Sequence, residues 1–85
     1  MNEGVKDVVE FKCWIEKEGL AQGKVISDVA SRANRVARMI RIDKKEDTEV
    51  LLLGLEKNAA FSDLSPSVKS QLKKACRLYR QYKGL

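Results

Sequence analysis

The residues of this sequence with the clearest chemistry are basic and regularly spaced. Lys69, Lys73, Arg77 and Arg80 recur at i, i+4, i+8 and i+11, and a helix turning about 100° per residue gathers them into one stripe. Like charges four apart repel by a few tenths of a kcal/mol per pair, roughly, and no acidic residue lies between Ser65 and Leu85 to offset them. A second set, Lys24, Arg32, Arg35, Arg38 and Arg41, is interleaved with Ser27, Ser31 and Asn34, and Asp28 is the one carboxylate among them. Guanidinium groups donate two hydrogen bonds in a plane, while short hydroxyl and amide side chains both donate and accept. That combination suits phosphate oxygens and base edges. On a helix, Arg35 and Arg38 fall furthest outward.

Other chemistry is poorly supplied. The absence of histidine removes the commonest acid–base group and the commonest zinc ligand. The five glycines are scattered rather than gathered into a phosphate loop, and no base is at hand to activate a serine. Glu10, Glu16 and Glu18 read as helix surface. No catalytic residue, metal site or cofactor is expected. Cys13 and Cys76 sit far apart within apolar helical patterns, so both read as buried, reduced thiols. Trp14 and Tyr79 read as core aromatics; Tyr82 divides evenly between core and a stacking surface.

The elements that position these residues follow from periodicity. Eighty-five residues allow one domain, spanning 1–85. Val8, Phe11, Trp14 and Ile15 mark a first helix over 5–18, closed by Gly19. Ile26, Val29, Ala30, Ala33, Val36, Ala37 and Ile40 trace one continuous face of a second, over 24–42. Asp43 and Glu46 resemble a capping pair before the apolar block Val50–Leu55, predicting a third helix over 44–58. Residues 59–64 read as a connection in which Phe61 and Leu64 plug the core. Ser65–Pro66 then starts a fourth helix over 66–83, with serine capping and proline preset for the first turn. The expected architecture is an all-α, compact four-helix bundle.

Lysine and arginine outnumber aspartate and glutamate by 17 to 12, a net charge of +5, which favours a polyanionic partner. A charge-rich helix can equally be a solvated surface. Positive charge segregated on two helices, against acidic residues gathered in the first helix and in Asp43–Glu56, favours the partner. The opening residues have neither a basic leader nor a long apolar run, so a cytoplasmic protein with no membrane association is expected.

The pattern also resembles a family. Phe11-Lys12-Cys13-Trp14-Ile15-Glu16 with Gly19-Leu20 looks like the opening of the SAM-like, N-terminal core-binding domain of phage integrases and other tyrosine recombinases. Leu64-Ser65-Pro66-Ser67-Val68, leading to Leu78-Tyr79-Arg80-Gln81-Tyr82, is similar to that domain's last segment. Asp28 to Arg32 with Arg35-Val36 looks like its arginine-bearing second helix. Ala21 and Lys24 depart from it, standing where serine and threonine are usual. The resemblance implies a helical module that clamps duplex DNA in recombination and integration, with strand cleavage belonging to a separate catalytic domain. On this reading Ser31, Arg35, Arg38, Ser65, Ser67, Lys69, Lys73, Arg77 and Arg80 contact DNA, and the chain itself is not an enzyme. The rival reading is a protein-interaction module that dimerises or docks an acidic partner; a homo-oligomer is compatible with both.

Overall fold

The computed structural model describes residue 5 and residues 7–85. Five helices follow in chain order: α1 (Val8–Lys17), α2 (Lys24–Met39), α3 (Thr48–Glu56), α4 (Ala59–Ser62) and α5 (Pro66–Lys83), with no strand among the described residues. The fold is all-helical. Its radius of gyration is 12.1 Å, the size of a compactly folded chain of this length.

Local signals in the sequence explain most of the boundaries. Gly19 adopts φ 68°, and the Leu20 and Gly19 amides donate to the Ile15 and Glu16 carbonyls at 3.1 Å each, closing α1. Ser65 Oγ accepts from the Val68 amide at 3.4 Å and Pro66 occupies the first turn of α5. Gly84, at φ 76°, ends that helix, with the Leu85 amide donating to the Arg80 carbonyl at 2.9 Å.

Four stretches differ from the periodicity. α1 starts at Val8 rather than at residue 5: the Val5 amide donates to Asn34 Oδ1 at 2.7 Å, and the Asp7 carboxylate is held by Tyr79 and Lys83. α2 stops at Met39, where Ile40 turns extended, and buried Ile42 reaches the core from an irregular segment. α3 starts at Thr48 and is capped by Asp47, whose carboxylate accepts from the Glu49 amide at 2.9 Å; Asp43 instead accepts from Arg41. In the stretch read as a connection, Asn58 caps the single turn α4 by accepting from the Ala60 and Phe61 amides, while its own amide group donates to the Met39 carbonyl at 3.2 Å.

Packing centres on the α2–α5 pair, with α1 across both, α3 against the flank of α5 and α4 against α3. Phe11, Ile15, Ala33, Val36, Leu55, Phe61, Leu72 and Cys76 are sealed from water, each large apolar chain among them contributing about 1.5–3 kcal/mol of burial. Leu64 is half-buried beside Phe61. Burial pushes the Cys76 thiol up to about 11, against the smaller opposing pull of Arg80 and Arg77, so it stays protonated at neutral pH. Cys13 is free but exposed, not buried; it lies on the outer side of α1, away from Phe11 and Ile15. Among the described residues, no helix is long and apolar enough to cross a membrane.

Candidate nucleic-acid interface

The core-facing residues of α2 are Ile26, Val29, Ala30, Ala33, Val36 and Ala37. Opposite them, Lys24, Ser27, Ser31, Arg35 and Arg38 are all exposed. At 1.5 Å rise per residue this polar face runs for about 20 Å. No carboxylate among the described residues forms an ion pair with its lysine or arginines. The amino end of α2 has no side-chain cap and no acidic residue in its first turn, and Lys24 stands there against the polarity that the helix dipole prefers. The remaining polar residues of this region are otherwise placed. Arg32 and Asp28 are half-buried at the edges of the face. Asn34 is committed to the Val5 amide, and Arg41 pairs with Asp43 at 3.2 Å.

The stripe on α5 is more heavily engaged than its spacing suggested. Lys73 pairs with Glu56, and Arg77 Nη2 lies 3.3 Å from Glu49 Oε1. Both carboxylates sit two turns apart on the side of α3 that faces α5. The hydrogen bond from Lys73, then its charge, holds the Glu56 carboxyl below its ordinary value. Lys69 is half-buried, its ammonium 6.0 Å from the Phe61 ring centre. At the start of the helix Ser67 is exposed, and the Ser65 hydroxyl is occupied by the Val68 amide.

Arg80 is not on the surface at all. It is 1 % exposed. Its Nε donates to Thr48 Oγ1 at 2.9 Å, its Nη1 donates to the carbonyls of Ile42 and Lys44 at 2.7 and 3.0 Å, and its Nη2 donates to the Glu46 carbonyl. The physical reason is angular. Eleven residues after Lys69, Arg80 has rotated only about 20° from it, which places it on the border of the core face just where the Ile42–Thr48 segment crosses α5. Its expected DNA contact is therefore replaced by an internal one, in which one guanidinium fastens the α2–α3 connection.

Phe11, Trp14, Tyr79 and Tyr82 form a single cluster rather than a stacking platform. Phe11 and Tyr79 meet edge to face at 5.2 Å, and Trp14 and Tyr82, each half-buried, lie 5.6 Å apart. Tyr79 Oη donates to Asp7 Oδ1 at 2.9 Å, and Lys83 Nζ reaches Asp7 Oδ2 at 3.2 Å. Partial burial by itself raises the Asp7 pKa, but the hydrogen bonds from Tyr79 and Lys83 outweigh it and hold the carboxyl below its ordinary 3.8. With the folded value below the unfolded one, the pairing adds stability that is fully present above the ordinary value and disappears as acid protonates folded Asp7. Asp7→Asn is expected to lower the urea midpoint at neutral pH and to flatten its decline between about pH 5 and about pH 2. A decline as steep as that of the wild type contradicts this assignment.

Two features were not anticipated: the α3 carboxylates that cover Lys73 and Arg77, and the internal use of Arg80. Only the first left a trace in the sequence, in the acidic bias of Asp43–Glu56. Among the described residues, no group of three histidine, cysteine, aspartate or glutamate side chains could hold a metal ion. In comparisons with known proteins, no family model matches the chain, and no similar curated protein or solved structure was found.

Proposed function

We propose that this protein is a DNA-binding module that lays the outer face of α2 against duplex phosphates, with Ser31, Arg35 and Arg38 as the principal contacts. The observation that carries the reading is this face itself: five polar or basic side chains, exposed in one row and paired with no carboxylate among the described residues. Ser67, Lys69, Lys73 and Arg77 form a secondary surface on α5 that engages phosphate in competition with α3. Under this reading α1, α2, α3 and α5 correspond to the four helices of a SAM-like core-binding domain of the tyrosine-recombinase type. α4 is then a one-turn addition. The protein acts in the cytoplasm, contributes binding rather than cleavage, and needs no cofactor.

Binding by a single module of this kind is weak and salt-sensitive, with a Kd of about 10⁻⁴ to 10⁻⁶ M and a steep rise in Kd between about 50 and 200 mM salt. A labelled duplex titrated at both salt concentrations tests it; a protein that ignores DNA at the lower one refutes it. Neutralising both α3 carboxylates, in Glu49→Gln with Glu56→Gln, releases Lys73 and Arg77. The affinity is expected to rise about three- to tenfold and the salt dependence to steepen by up to about two counterions. An unchanged affinity removes α5 from the interface.

The second reading, a protein-interaction module, is favoured by the outer side of α3, where Val50 is 54 % and Leu53 59 % exposed.

A further inference from the structure

The polar face of α2 is a single file. At about 100° per residue, Lys24, Ser27, Ser31, Arg35 and Arg38 fall within a sector of about 80°, and all five are exposed. On one flank of this crest Asp28 and Arg32 are half-buried and cancel in charge; on the other, half-buried Asn34 is committed to the Val5 amide. Neither flank offers net positive charge. Base edges lie at the floor of a major groove about 12 Å wide and about 8.5 Å deep, and a helix with its side chains is about 10–12 Å across. A helix that enters therefore has both flanks against phosphate walls. α2 would meet those walls with nothing to neutralise them, and with the Asp28 carboxylate beside one. Laid along a single strand of the duplex, the same helix meets phosphates with its crest alone.

A stacking surface is missing as well. α2 carries no aromatic residue. Phe11, Phe61 and Tyr79 are buried, and Trp14 and Tyr82 are half-buried in the cluster around Phe11. Proteins that hold single strands stack successive bases on aromatic side chains. We propose, resting on the DNA-binding reading above, that the crest of α2 follows the phosphates of one strand of a duplex and reads no base edge. Its ligand is then duplex DNA of any sequence, with single strands disfavoured. Contacts of this kind fix position on the duplex and carry no sequence information.

Three labelled probes, titrated with the full chain at about 50 mM salt, test it: two short duplexes, one a scramble of the other, and a single strand of the first. Each base pair read by its edge changes affinity by at least about fivefold, so the two duplexes are expected to agree within that factor. The single strand, without a stacking platform, is expected to bind more than about fivefold more weakly. Arg35→Ala is expected to weaken both duplexes by the same factor and to lower the salt slope by about one. A larger preference for either duplex, an Arg35→Ala loss confined to one of them, or a single strand bound within about fivefold of duplex overturns this proposal and leaves DNA binding in place. No binding to any of the three probes overturns both.

Discussion

Arg80→Ala is expected to destabilise the domain by about 3–5 kcal/mol, the scale of a large core truncation that also strands buried acceptors. Small domains have only about 5–15 kcal/mol in total, so much of the stability rests on this residue. The truncation empties space beside Cys76 and Tyr79. It also strands the buried carbonyl of Ile42 together with those of Lys44 and Glu46, each of which now accepts from the guanidinium. A buried acceptor left without a donor costs about 1–3 kcal/mol. Arg80→Lys is not expected to rescue the fold. A single ammonium cannot reach Thr48 and three carbonyls spread over Ile42–Glu46 with the geometry of a planar fork. Urea unfolding followed by circular dichroism reads both variants, and a loss below about 1 kcal/mol for either contradicts the assigned role. Amide exchange adds a local readout, since the α2–α3 connection should lose protection first.

Arg35→Glu combined with Arg38→Glu has the largest expected effect on binding. Both side chains are exposed, neither is paired among the described residues, and their reversal leaves the core face of α2 untouched. Removing one arginine–phosphate interaction reduces the salt slope by about one, and charge reversal adds repulsion. The affinity for duplex is therefore expected to fall by at least about tenfold at low salt, with the helical signal unchanged. The corresponding reversal on α5 is a less clean experiment. Lys73→Glu and Arg77→Glu would confront Glu56 and Glu49 where α3 meets α5, so weaker binding there mixes electrostatics with a disturbed fold. If the α2 variant binds as well as the wild type, the α2 face is not the surface that meets DNA.

Much of the helical scaffold was legible because its signals are local. The α2 face follows from the repeat of Ile26, Val29, Ala33 and Val36, and the end of α1 and the start of α5 follow from Gly19 and Ser65–Pro66. Several of the differences share one cause, which is that a long-range partner outbid a local signal. Asp7, Asn34 and Asn58 are all drawn into contacts with other elements, and the carbonyls of Ile42, Lys44 and Glu46, which an earlier start of α3 would have used, are taken by Arg80. The proposed interface divides in the same way. On α2, outward direction alone identifies Arg35 and Arg38. On α5, stripe membership does not separate exposed Arg77 from buried Arg80, because the stripe borders the core and the outcome depends on which segment crosses it. Cys13 shows the complementary error: an apolar residue type within a helical pattern still falls on the outer side.

The central claim is that the outer face of α2 meets duplex DNA, and amide chemical-shift mapping during titration with a short duplex tests it most directly. The account predicts that the largest shifts fall on Lys24, Ser27, Ser31, Arg35 and Arg38, with smaller ones at Ser67 and Lys69, all collapsing as salt is raised. Val50 and Leu53 should stay unmoved. Shifts centred on α3, or none at low salt with duplex in excess, would contradict it.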